Sequence, residues 1–121
     1  MADHNILGKK GEVLAIEMLK EKSYEILETN WRYGRDEVDI IARDGRELVV
    51  VEVKTRSTDF FGEPEDSVGI VKMRNLINTA NEYIEQKQIE LECRFDIVSV
   101  IINQKGIKIK HIKDAFYSSD L

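Results

Sequence analysis

Asp39, Glu52 and Lys54 have the types and spacing for metal-assisted attack on a phosphodiester. Glu52 and Lys54 stand in the run Leu48-Val49-Val50-Val51-Glu52-Val53-Lys54, where five of seven residues are apolar and four are valines. Such a run reads as a strand buried on both faces. A carboxylate and an ammonium inside it are costly unless something compensates them. A divalent cation is the compensation that also does chemistry.

The hairpin signal Asp44-Gly45 brings Asp39 toward Glu52. With Asp44 and Gly45 as the two loop residues, Arg43 faces Arg46 and Glu37 faces Glu52. Asp39 and Glu52 are then diagonal neighbours about 7–8 Å apart. A four-residue loop sets Asp39 directly opposite Glu52. Either register puts Asp39, Glu52 and Lys54 on one side, because strand side chains alternate; a three-residue loop breaks that arrangement. Two converging carboxylates repel, so one takes a proton or a cation neutralises both. Mg²⁺ or Mn²⁺ suits two carboxylates plus water. Lys54 would orient water or stabilise phosphoryl charge. Glu12 joins the site if its helix packs over this face.

By spacing alone the pattern D-x(12)-E-x-K is weak, and a structural ion-pair network at a strand end is the favoured reading of it. The apolar setting of Glu52 favours use over stability, since a buried ion pair replaced by apolar residues often costs nothing.

The elements that must position these residues are legible. A first helix is expected over about Asn5 to Lys22, with Leu7, Gly11, Leu14, Ala15, Met18 and Leu19 at helical spacing and Asp3 or Asn5 as cap. Gly8, Gly11 and Ala15 make a small-residue stripe that permits close approach to a sheet. Strands follow at about 24–31 and 37–43, then the valine-rich strand ending near Thr55. A loop spans about 57–66. A second helix is expected over about Ser67 to Lys87, with Met73, Leu76, Ile77, Ala80, Tyr83 and Ile84 as its apolar face. Two strands close the chain, at about 94–102 and 107–112. The order α-β-β-β-α-β-β predicts an α/β or α+β domain around a mixed sheet of about five strands.

At 121 residues, 42% hydrophobic and 34% charged, the chain reads as one globular domain, residues 1–121. No apolar run is long enough for a bilayer, and Met1-Ala2-Asp3-His4-Asn5 lacks the basic start of a signal peptide. A cytoplasmic location is expected. One cysteine and two histidines cannot build a typical zinc cage. The net charge of −5 weighs against non-specific nucleic-acid binding, unless basic residues cluster. Lys9 with Lys10, Arg32 with Arg35, Lys54 with Arg56, and Lys72 with Arg74 are the local groups.

Other residues have plain readings. Glu37 is an outer carboxylate or a surface residue. Arg56 grips a phosphate or forms a surface pair. Phe60 and Phe61 fold back as a lid in preference to stacking on bases. Trp31 packs in the core, and Asp96 caps a strand. His4 and His111 lie on the surface. Lys72 and Arg74 lie on a solvated helix face. Cys93 has no base beside it and is no catalytic thiol.

At Asp39 and Glu52-Val53-Lys54 the chain resembles the PD-(D/E)xK nuclease superfamily, with its restriction-endonuclease-like fold. Val38 stands where the nominal proline would be. Glu12 resembles the helical acid of archaeal Holliday junction resolvases. A longer resemblance is to the YraN-like family of small bacterial proteins of uncharacterised function. It runs through Gly8-Lys9-Lys10-Gly11-Glu12, Asn30-Trp31-Arg32, Glu37-Val38-Asp39-Ile40-Ile41-Ala42 and Val51-Glu52-Val53-Lys54-Thr55-Arg56. It continues in Gly62-Glu63-Pro64-Glu65, Arg94-Phe95-Asp96-Ile97-Val98 and Asp114-Ala115-Phe116. The resemblance implies Mg²⁺ or Mn²⁺ held by Asp39, Glu52 and the Val53 carbonyl, with Glu12 in support and Lys54 assisting catalysis. It implies a nucleic-acid substrate, structured or branched DNA, and the local basic groups offer Lys9, Lys10, Arg35 and Arg56 as its contacts. A resolvase-type activity implies a homodimer, since two strands are cut symmetrically. The alternative is a non-catalytic module on the same fold that binds nucleic acid or protein.

Overall fold

The computed structural model describes residues 2–58 and 68–117, with side chains from residue 6 onward. The expectations for His4, Phe60 and Phe61 lie outside the described residues. The elements run α1 (Ala2–Glu21), β1 (Glu25–Tyr33), β2 (Asp36–Asp44), β3 (Glu47–Arg56), α2 (Ile70–Lys87), β4 (Glu92–Asn103) and β5 (Gly106–Phe116). This is the expected α-β-β-β-α-β-β order of an α+β fold. Helix α1 begins at Ala2, so Asp3 and Asn5 lie within its span.

One mixed sheet carries the five strands in the order β1-β2-β3-β4-β5. Neighbours are antiparallel except β3 and β4, which α2 connects in parallel. The central β3 is covered on both faces, as its valines require. Leu48 and Val50 join Leu76, Ala80 and Tyr83 of α2, while Val49 and Val51 join Ala15 and Leu19 of α1. Trp31 packs half-buried against the α2 core, edge-on to Tyr83 at 5.1 Å between ring centres.

The β2–β3 turn differs from the expected one. Asp44 pairs with Glu47, so Gly45 and Arg46 are the loop residues. Gly45 has φ of +60°, which suits the first central position of a type II′ turn and is strained for other residues. This two-residue loop yields the register first assigned to a four-residue loop. The ladder ends with Ile40 opposite Val51, which brings Asp39 to the level of Glu52 and Val53.

Helix α1 lies close on β3 through Gly11. A Cβ added there would overlap Thr55 Oγ1 and come within 2.8 Å of Thr55 Cβ. Gly8 of the expected stripe faces open space instead. Gly11→Ala is therefore expected to lower the melting temperature by several degrees, about 1–3 kcal/mol of overpacking. Gly8→Ala is expected to raise it slightly, since Ala is the better helix former. Thermal denaturation of both variants checks the pair, and equal effects would contradict the close approach at Gly11.

Candidate metal and phosphodiester site

The site forms where β2 leaves β3. Val38 packs in the α2 core, yet Ile40, two residues on, packs in the α1 core. Regular alternation would put both on one face. The slip falls at Asp39. Opposite it on β1, between the pairs Thr29–Ile40 and Trp31–Val38, Asn30 has φ of +51°, a left-handed conformation that asparagine tolerates better than most residues. Released from the pleat, the Asp39 carboxylate accepts a hydrogen bond from the Val53 backbone N–H at 2.8 Å. Asp39 thus reaches β3 from within the sheet's edge gap, and simple same-face alternation does not describe it.

Glu52 follows the alternation of Leu48 and Val50 onto the α2 face. It is only 4% exposed. Its carboxyl is pushed up to about 8, first by burial and then by the Asp39 carboxylate, which is close enough to share a proton with it. Lys72 Nζ of α2 lies 3.5 Å from Glu52 Oε2, and Lys72 and Lys54 partly offset the rise. Lys54 is half-buried two residues along the same face.

Glu12 approaches from the α1 side. Burial raises its carboxyl, as do Asp39 and Glu37, against a smaller lowering by Lys9. Asn30 Nδ2 donates to Glu12 Oε2 at 3.3 Å. Glu37 is held by Arg32 at 2.9 Å. Glu12, Asp39, Glu52 and Lys54 thus share one electrostatic neighbourhood, with Asp39 between the two helix-covered faces. Of the expected nucleic-acid contacts, Lys9 stands by Glu12 and Arg56 ends β3. Lys10 is exposed on α1, and Arg35 is exposed in the β1–β2 turn.

Sequence reasoning missed two parts. Lys72 is exposed, as its solvated face predicts, but its pairing with Glu52 has no signal in the sequence; its long stem carries the ammonium there. Asn30 had only its type as a signal, a residue at ease in left-handed turns within a strand. Among the described residues no group of three or more His, Cys, Asp or Glu side chains is placed to hold a metal, so Asp39 and Glu52 are the two carboxylates that a cation could meet here. Two carboxylates with backbone oxygen and water suit Mg²⁺ or Mn²⁺ rather than zinc.

His111 and Asp96 are corrections. The His111 side chain is 3% exposed, and its Nε2 lies 2.7 Å from the buried Asp96 Oδ2. Arg94 joins Asp96 through Nε and Nη2, and also donates to Asp44, Glu47 and Tyr24. Burial would raise Asp96, but the hydrogen bonds from His111, Arg94 and the Asp114 backbone hold it below the usual range. The signal was Arg94-x-Asp96, two charges at period two on an otherwise apolar strand. Burial and then Asp96 push the Cys93 thiol up to about 12.

A family profile described as "Uncharacterised protein family UPF0102" matches residues 11–100. A UPF0102 protein of Christiangramia forsetii is 53% identical over 97% of this chain and 98% of its own length. One of Bacteroides thetaiotaomicron is 46% identical over 97% of each chain. One of Parabacteroides distasonis is 46% identical over 98% of each.

The raised Glu52 carboxyl predicts a pH dependence. Glu52 binds its proton more tightly folded than unfolded, so its contribution is full below about pH 4.5 and drains as pH rises through about 8. Without divalent cations, the melting temperature should fall between pH 5 and pH 9, and Glu52→Gln should flatten that fall. Thermal melts across the range check it; an unchanged slope in the variant would contradict it.

Proposed function

We propose, from the premise that this chain belongs to the UPF0102 family and from its site geometry, that it is a metal-dependent endonuclease acting on nucleic acid. The single observation behind this is the pairing of the Asp39 carboxylate, which accepts the Val53 N–H, with the buried Glu52 carboxyl at the β2–β3 split. Asp39, Glu52 and the Val53 carbonyl would hold Mg²⁺ or Mn²⁺. In extended backbone N–H and C=O of one residue point to the same edge, and the Val53 N–H already faces Asp39. The ion would supply Lewis-acid polarisation of a phosphoryl oxygen.

The chain's own groups do the rest. Asn30 steadies Glu12, which supports the site from the α1 side. The Val53 N–H orients the Asp39 carboxylate. Lys54 would position the attacking water or offset charge on the phosphoryl group. The substrate class, structured or branched DNA, and a homodimer follow from the resemblance to junction resolvases.

A second reading has its own observation: Lys72 already pairs with Glu52, as in a self-contained ion network on a non-catalytic binding module. Two measurements separate the readings. Labelled branched, flapped, single-stranded and duplex DNA, with RNA, is incubated with protein and Mn²⁺. Wild type should cleave, and Glu52→Gln and Lys54→Ala should each lose at least about 10²-fold in rate. Calorimetry at pH 7 in buffers of different ionisation enthalpy should show about one proton released per ion bound, and none in Glu52→Gln. Binding of nucleic acid without cleavage in all three proteins would favour the module.

A further inference from the structure

The sheet register places cations of β5 on the Glu52 face, in the two rows beyond Glu52. Paired residues share a face, so Lys54 on β3, Ser99 on β4 and Lys110 on β5 form one row across the sheet. Arg56, Ile101 and Lys108 form the next row on the same face. Strands lie about 4.8 Å apart, which sets the Lys54 and Lys110 backbones roughly 10 Å from each other. Helix α2 packs toward β1 and β2, and Lys108 and Lys110 are exposed. An open groove of about 710 Å³ continues the rows at the β4–β5 turn, lined in part by Thr58, Ile101, Asn103, Lys105 and Lys108.

The composition of this hairpin is unlike that of the chain. Residues 99–113 contain Lys105, Lys108, Lys110 and Lys113 and no Asp or Glu, in a protein of net charge −5. An acidic protein that recruits a polyanion needs its cations concentrated where the polyanion must lie. Here they begin at the carboxylate pair and lead to the sheet edge.

We propose that Lys54, Arg56, Lys108 and Lys110 form a phosphate track. It seats the backbone of a nucleic acid and guides it from the β5 edge to the Asp39–Glu52 site. The proposal deepens the nuclease reading and rests on it for the direction of the strand. Contacts of this kind are sequence-independent and salt-sensitive.

The test is binding of a labelled 25-base-pair duplex and a four-way junction, followed by fluorescence anisotropy in EDTA, where cleavage plays no part. Wild type is compared with Lys108→Glu/Lys110→Glu and with Lys20→Glu/Lys87→Glu, which changes net charge equally at exposed positions of α1 and α2. The track variant should lose at least about tenfold in affinity, and its log-affinity against log-salt slope should shrink by about 2. The control should change less than about threefold. Equal losses in both variants, no loss in the track variant, or no wild-type binding at 50 mM salt would each overturn the track. If the glutamate variant melts early, Lys108→Gln/Lys110→Gln decides by the same comparison. Wild-type cleavage in Mn²⁺ is scored separately. Track-dependent binding without cleavage retires the nuclease reading alone, and cleavage with track-independent binding retires the track alone.

Discussion

Everything at this site depends on one carboxylate inserted where a sheet would otherwise continue. Asp39 accepts the Val53 N–H that a regular β2–β3 ladder would give to a backbone carbonyl. That substitution satisfies the β3 backbone, ends the ladder and brings negative charge to a strand buried on both sides. The slip of β2 at Asp39 and the left-handed Asn30 across from it are the local conditions that allow it. Glu52 then finds a carboxylate beside it in a buried position, and burial and that neighbour push its carboxyl up to about 8. Low dielectric makes such crowding expensive, and a fold gains nothing in stability from it.

The sheet handles its two buried charge clusters in opposite ways. On the α1 face, Arg94 spends its N–H groups on Asp96, Asp44, Glu47 and Tyr24, and His111 completes Asp96. Every charge there has a fixed partner, and the cluster ties β4 to β5, to the β2–β3 turn and to the chain after α1. At the split, by contrast, Glu52 meets the Asp39 carboxylate, and the ammonium beside it is that of the half-exposed Lys72 at 3.5 Å. A satisfied network is a fastener; a deficient one is where an ion or a polyanion gains free energy by binding. Helix α1 spans both, with Lys22 beyond its last turn reaching His111 and Glu12 beside Asp39.

Much of this was legible in the residues. Five elements of period-two or valine-rich sequence gave strands, two apolar stripes gave helices, and Gly45 marked the hairpin. Asp39 and Glu52 were placed together because register is rigid once a turn is chosen. What escaped was whatever depends on departures from the period. A bulge-like slip at Asp39 moves one side chain out of the pleat, and no pattern of apolar residues encodes it. His111 looked like a surface residue because burial of a late side chain depends on what packs beside it, and the Lys72 contact with Glu52 depends on where α2 crosses the sheet. The cationic rows on β5 required the β4–β5 pairing, which fixes Lys108 and Lys110 on the Glu52 face.

The central claim is that the carboxylates at the β2–β3 split are a cation site. Crystals grown or soaked with Mn²⁺ and measured at its absorption edge test it most directly. The account predicts an anomalous peak about 2.2 Å from oxygens of both Asp39 and Glu52, with Lys72 moved off Glu52. A fully ordered split with no peak there at saturating Mn²⁺, and Lys72 still on Glu52, would contradict it.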